Sequence, residues 1–176
     1  MSKVTPAEIE KAIRNVPDFP QPGIQFKDIT PVLADPRLFA GAMELVTEKY
    51  KPGSVDAVVG IDARGFIFAA AAAQQLHAGF VPVRKKGKLP YQTIEQAYAL
   101  EYGQATVAMH IDALKPGSRV LLVDDLLATG GTSAAAVSLV QKLGGNILEA
   151  VFLIELKFLD GRAKLPGIPI RSIVSY

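Results

Sequence analysis

The chain has 176 residues, 49% of them hydrophobic, with 19 basic against 17 acidic side chains and a net charge of +2. That length buries one sizeable core, and the near-balanced charge excludes the dense Lys/Arg footprint of a nonspecific nucleic-acid binder, so small anions are the expected partners. There is no cysteine, hence no disulfide framework or thiolate metal site, and the two histidines, His77 and His110, do not stand at metal-ligand spacing. The N-terminus MSKVTPAEIEKAIRN lacks the apolar core of a signal sequence, and the run GFIFAAAAA is too short to span a bilayer. The expectation is one domain over residues 1–176, with no membrane segment, in a cytoplasmic setting.

In chain order, the first predicted element is a helix with Thr5 as N-cap, Pro6 at the first helical position and Glu8 at capping-box spacing, with Ile9 and Ile13 on one face. The stretch NVPDFPQPGIQFKDITP carries four prolines and predicts an ordered but irregular segment. Asp35-Pro36 opens a second helix, with Leu38, Ala42 and Leu45 on one face and Pro52-Gly53 marking its end. Four apolar, β-branched runs follow, VDAVVGI, FVPV, RVLLV and ILEAVFLI, which suit strands buried on both faces of a parallel sheet. The alanines from Ala69 to Ala73 read as helix surface close to that sheet. The fold class is therefore α/β: a doubly wound, mainly parallel sheet flanked by helices, with ligands past the carboxyl ends of the strands. Those ends are Asp62 to Phe66, Arg84 to Lys88 and Asp124 to Thr132.

The third of these ends is the most informative. In VLLVDDLLATGGTSAAAVSLVQKLGG, Val120–Val123 reads as a strand and Ser133–Leu143 as a helix closed by Gly144-Gly145. The loop between them brings unpaired backbone N–H groups to one point; Gly130 and Gly131 permit close approach, and Thr129 and Thr132 add hydroxyls. A phosphate suits that point. The loop lacks both the lysine of a triphosphate-binding loop and the G-x-G-x-x-G of a dinucleotide fold, so a single phosphate fits better. Asp124 and Asp125 would accept hydrogen bonds from sugar hydroxyls or help to hold a hydrated Mg²⁺. Phosphate plus diol points to a sugar phosphate.

With this strand, acid pair and T-G-x-T loop, the chain resembles the type I phosphoribosyltransferases. IRNVPDFPQPGIQFKDITP, GIDARGFIF, VRKKGKLP and LEYG, all in the family's order, place it near the adenine-using branch. The resemblance implies transfer of a phosphoribosyl group from phosphoribosyl pyrophosphate to adenine, giving AMP and pyrophosphate, with Mg²⁺ held through the substrate near Asp124 and Asp125, in a homodimer. It implies that Ala128, Thr129, Gly130, Gly131 and Thr132 hold the 5-phosphate, and that Asp124 and Asp125 take the ribose hydroxyls. Pyrophosphate falls to Asp62, Ala63 and Arg64, with a cis peptide between Asp62 and Ala63, and to Arg84, Lys85 and Lys88; Arg84 is a candidate to reach a neighbouring subunit's site, and Lys86 is expected to be solvated.

By the same resemblance, residues 1–34 form a helix and hood over the base site, in which Phe26 lies against the purine, flanked by Gln25 and Lys27, whose backbone groups are favoured over their side chains. Leu126 is also assigned to the base. Glu101 and Tyr102 belong to a closing loop, Glu101 near the purine edge where a proton leaves N9. With Arg64, Glu101 is the catalytic candidate. Two alternatives stand beside this reading: a 6-oxopurine enzyme, because Lys157 lies near the place where such relatives put a lysine, and a noncatalytic sensor of phosphoribosyl pyrophosphate.

Overall fold

The computed structural model describes residues 3–99 and 103–176, which fall into two compact units, one within residues 1–45 and one within 46–176. In the first unit, α1 (Pro6–Ala12) starts on the expected capping box: the Thr5 hydroxyl accepts from the Glu8 N–H, and the Glu8 carboxylate accepts from the Thr5 N–H at 3.0 Å. The proline-rich segment is more regular than its composition predicts. It forms a short antiparallel pair, β1 (Arg14–Pro17) and β2 (Gln25–Asp28), with Val16 opposite Phe26. Prolines cannot donate to a ladder, so Pro17, Pro20 and Pro22 confine pairing to these short runs. The intervening turn is tied by the Gly23 N–H donating to Asp18 at 2.8 Å, and Phe19 packs edge-on to Phe26 at 5.0 Å. α2 (Thr30–Ala34) and α3 (Pro36–Thr47) follow, and the Asp35 carboxylate accepts from the Arg37 and Leu38 N–H groups at the start of α3.

The second unit is built on seven strands: β3 (Ala57–Ile61), β4 (Gly79–Lys85), β5 (Thr93–Ala99), β6 (Gln104–His110), β7 (Arg119–Leu127), β8 (Asn146–Glu155) and β9 (Ile170–Ser175), in spatial order β5-β6-β4-β3-β7-β8-β9. The pairs among β4, β3, β7, β8 and β9 are parallel, whereas β6 pairs antiparallel with β4 and β5. From β3 the chain passes through α4 (Gly65–Leu76) to β4 on one side; from β7 it passes through α5 (Gly131–Lys142) to β8 on the other. Strand order thus reverses between β3 and β7, and a crevice opens at their carboxyl ends.

Alternation along the strands feeds two layers. Val59, Ile61, Leu122 and Phe152 join Ala135, Ala136 and Leu139 of α5 in one apolar cluster. On the opposite face Gly60 meets α4, and a Cβ on Gly60 would lie 2.5 Å from that of Ala69. Within this tract, which lies close to the sheet as expected, Ala70 is exposed and Ala71 half-buried, but Ala69, Ala72 and Ala73 are buried rather than on the surface: small side chains are what allow α4 to approach the sheet.

Three further departures have physical causes. β7 does not stop at Val123 but carries both acids within it, because Leu126 and Leu127 continue the ladder against Ile154 and Glu155 of β8. α5 begins at Gly131 rather than Ser133, since the Gly130 carbonyl already accepts from the Ala134 N–H at 2.9 Å. The β5–β6 hairpin and β9 were not among the expected strands. Substituting Gly60→Ala should overpack the β3–α4 contact and lower unfolding free energy by about 1–3 kcal/mol, measured by urea denaturation.

Candidate active site

β3 and β7 are adjacent and parallel, so the segments that follow them leave the sheet along one edge. β3 delivers Asp62, Ala63 and Arg64; β7 delivers Asp124, Asp125 and Leu126, then Ala128, Thr129 and Gly130. With Ile61, Gly131, Thr132 and Ser133 these residues line one cleft of about 360 Å³. Eleven residues singled out in the sequence are thereby brought together. Ile61 and Ser133 were not foreseen; the serine directly after T-G-G-T, buried at the start of α5, was the available signal.

Asp124 and Asp125 are 9% and 6% exposed, side by side at the end of β7. The Asp125 N–H donates to Asp124 Oδ1 at 2.9 Å. Burial, and secondarily the neighbouring Asp125 charge, pushes the Asp124 carboxyl well above the usual carboxylate range. Burial also raises Asp125, opposed chiefly by the Arg64 guanidinium. Arg64 Nη2 stands 2.8 Å from Asp125 Oδ2 across the cleft, an ion pair in which that oxygen has no aligned hydrogen-bond donor among the described residues. Gly65, next to Arg64, lets α4 close on the acids: a Cβ there would meet Asp124 Oδ1 at 2.3 Å.

The loop after β7 is held by protein on its far side. Gly130 adopts φ 78°, and a Cβ on it would lie 2.3 Å from the Gly161 carbonyl oxygen. A Cβ on Gly131 would approach the Tyr98 ring at 3.3 Å. Protein neighbours and a positive φ thus require glycine at Gly130, and the Tyr98 ring leaves little room at Gly131. Thr129 is exposed, Thr132 half-buried, and α5 points its N-terminus at the same space.

The Asp62–Ala63 peptide is cis, as the resemblance implies. Arg84 is held within the chain: its Nε donates to Asp62 Oδ2 at 3.0 Å and its Nη1 to the Lys88 carbonyl at 3.0 Å. That contact ties the basic loop after β4 to the cleft through Asp62, while Lys85 and Lys88 are exposed and outside its lining. Lys86 pairs with Glu95 at 2.7 Å on the surface. Gln25, Phe26 and Lys27 belong to the first unit; Gln25 is exposed and accepts from Asn15, and Phe26 is half-buried against Phe19. Glu101 and Tyr102 lie outside the described residues. Lys157 is off β8 and exposed, its N–H donating to the Tyr176 carbonyl at 2.8 Å, while Glu155 is the last residue of the strand. Among the described residues no group of three or more His, Asp or Glu could hold a metal on its own.

Residues 28–165 match the phosphoribosyl transferase domain family. The chain belongs to that family. It is 57% identical over 162 residues to the adenine phosphoribosyltransferase of Acidothermus cellulolyticus, an alignment that covers 92% of each chain. The crystal structure of adenine phosphoribosyltransferase from Rhodothermus marinus is 52% identical and superposes with a TM-score of 0.92 over 97% of this chain and 98% of that one. The Saccharomyces cerevisiae adenine phosphoribosyltransferase, solved with an imino-altritol bisphosphate and adenine, is 39% identical with a TM-score of 0.88 over 96% of this chain and 97% of that one.

The buried acid pair has a thermodynamic signature. Because the folded-state pKa of Asp124 is raised, the folded protein binds more protons than the unfolded chain above the ordinary carboxylate range, and stability is lost as pH rises through that window. Asp124→Asn removes this penalty while leaving an acceptor for the Asp125 N–H. The ligand-free variant should melt higher than the parent at neutral pH, and calorimetric scans should show the gain shrinking as pH falls toward the ordinary carboxylate range.

Proposed function

We propose that this protein transfers the 5-phosphoribosyl group of phosphoribosyl pyrophosphate to adenine, giving AMP and pyrophosphate in purine salvage. The observation that carries the proposal is the crevice between β3 and β7, where a buried acid pair, an arginine and the N-terminal loop of α5 converge in one cleft. The chain's high identity to adenine phosphoribosyltransferases, over nearly its full length, supports adenine as the acceptor.

In this reading the 5-phosphate takes the N–H groups and hydroxyls of Ala128 to Thr132, and Asp124 and Asp125 accept from the ribose hydroxyls. Rupture of the bond between the anomeric carbon and pyrophosphate puts positive charge on the sugar and negative charge on the leaving group. Arg64, parked 2.8 Å from Asp125, is placed to turn to that leaving group, with the backbone of Asp62 and Ala63. Arg84 supports this side by holding Asp62, and Lys85 and Lys88 supply further positive charge. Adenine N9 attacks the anomeric carbon, and we assign its departing proton to Glu101, with Tyr102 in the same loop. To the base we assign Leu126 and, on the resemblance of their segment, Phe26 with the backbone of Gln25 and Lys27.

The acid pair also fits a magnesium ion carried in by the substrate: two adjacent carboxylates, each disfavoured as a bare anion by burial, gain from a cation that the substrate helps to hold. When bound, such an ion offsets the charge of the pyrophosphate. We further propose a cytoplasmic homodimer. Among the described residues no helix is long and apolar enough to cross a membrane, and Ile67 and Phe80, from α4 and β4, offer exposed apolar surface to a second copy.

Turnover of phosphoribosyl pyrophosphate with a panel of bases tests the proposal. Adenine should exceed hypoxanthine and guanine by at least about 100-fold in kcat/KM, because a buried site built for a 6-amino group leaves its polar groups unpaired against a 6-oxo purine. Lys157→Ala should be nearly silent; comparable use of hypoxanthine, or its selective loss in that variant, moves the protein to the 6-oxopurine branch. Arg64→Ala should lower turnover by at least about tenfold and weaken pyrophosphate inhibition, a joint effect absent for a solvated turn residue.

A further inference from the structure

The 5-phosphate loop has a second protein partner that the mechanism above does not use. Past β8 the chain makes two short 3₁₀ turns, Lys157–Leu159 and Gly161–Lys164, and brings Gly161 back against the loop that follows β7. The contact is backbone on backbone in both directions. A Cβ on Gly161 would lie 2.2 Å from the Ala128 carbonyl oxygen and 3.1 Å from the Gly130 nitrogen, and one on Gly130 would lie 2.3 Å from the Gly161 carbonyl oxygen.

What holds Gly161 there is its neighbour. Arg162 donates to Glu155 from Nε at 2.6 Å and from Nη2 at 2.7 Å, a bidentate pair, and reaches Ser172 Oγ on β9 at 3.1 Å and the Ile170 carbonyl at 3.3 Å. Ser172 in turn donates to Glu155. Glu155 is the last residue of β8, 3% exposed, and stands opposite Leu127, the last residue of β7 before the loop. The Arg162 hydrogen bonds hold the Glu155 carboxyl below the usual carboxylate range despite its burial. Rooting the pair at the strand ends fixes the turn relative to the loop, and the planar fork of arginine fixes it in orientation as well as distance.

We infer that Gly161, clamped by the Arg162–Glu155 pair, is a positioning residue that sets the backbone of Ala128 to Gly130 for the 5-phosphate. The inference rests on the assignment of that loop to the phosphate. It attributes part of the phosphate affinity to residues that touch no substrate.

Calorimetric titration of AMP into the parent and into Gly161→Ala, Arg162→Lys and Thr132→Val, together with steady-state kinetics, tests it. Gly161→Ala should weaken AMP by at least about tenfold, and Arg162→Lys, which keeps the charge but loses the fork, by about threefold or more; in both, KM for phosphoribosyl pyrophosphate should rise while kcat and KM for adenine stay within about threefold. Loss of stability alone leaves the affinity of the folded fraction unchanged, so this split separates positioning from folding. Should Gly161→Ala not fold, Arg162→Lys decides. AMP affinity lost in Thr132→Val but within twofold of the parent in the folded variants at 161 and 162 overturns the inference and spares the loop assignment. AMP affinity unchanged in Thr132→Val overturns the assignment, and the inference with it.

Discussion

Two carboxylates buried side by side at the end of β7 are the constraint on which the rest of the cleft depends. Neither is comfortable there as an anion: burial raises both, and the Asp125 charge raises Asp124 further. The fold answers with one guanidinium from the neighbouring strand end, and Gly65 removes the side chain that would keep α4 from closing on the pair. The arrangement is incomplete in a directed way. Among the described residues Asp125 Oδ2 has charge opposite it but no aligned donor, so a ligand with hydroxyls to donate and phosphates to occupy the arginine would improve both groups at once.

The sheet supplies this geometry because its connections diverge from β3 and β7. Parallel strands end on one edge, the reversal of strand order leaves that edge open, and α5 presents its N-terminus to it. The loop between β7 and α5 is short, and at Gly130 it needs glycine for reasons internal to the protein. Its glycines make room for Tyr98 and for the carbonyl of Gly161, and the loop lines the cleft.

Much of this was legible in the sequence. Continuous apolar runs marked β3, β7 and β8, since strands buried on both faces have no polar alternation to hide them; the run FVPV marked β4 as well, although only Val81 and Val83 of it are buried, and Phe80 is exposed rather than covered on a second face. The residues of the cleft were found because they cluster at the ends of those runs. The β5–β6 hairpin escaped because β5 mixes exposed and half-buried side chains, with Glu95 and Gln96 interrupting any apolar pattern, and the buried part of β6 is only Val107, Ala108 and Met109. The extent of β7 was misjudged because two adjacent aspartates read as the end of a strand, and only pairing with β8 carries the strand through them. The burial of Ala69, Ala72 and Ala73 was not legible because alanine is equally at home on a surface and under a close-packed helix; Gly60 on the facing strand decides it for Ala69. Arg162 was invisible for a different reason. Its partner Glu155 is seven positions earlier across two irregular turns, a spacing that no periodicity announces, although an acid at the end of the apolar run ILEAVFLI was a sign that something must compensate it.

The central claim is that the loop after β7 holds a phosphate while the acids before it hold a ribose. A crystal structure of the protein soaked with AMP addresses both halves at once. The account predicts the 5-phosphate within hydrogen-bond distance of the backbone N–H groups between Thr129 and Thr132, the ribose hydroxyls on Asp124 and Asp125, and Arg64 released from Asp125. A nucleotide bound with its phosphate at Arg84 and Lys88, or with the ribose turned away from the acid pair, contradicts it.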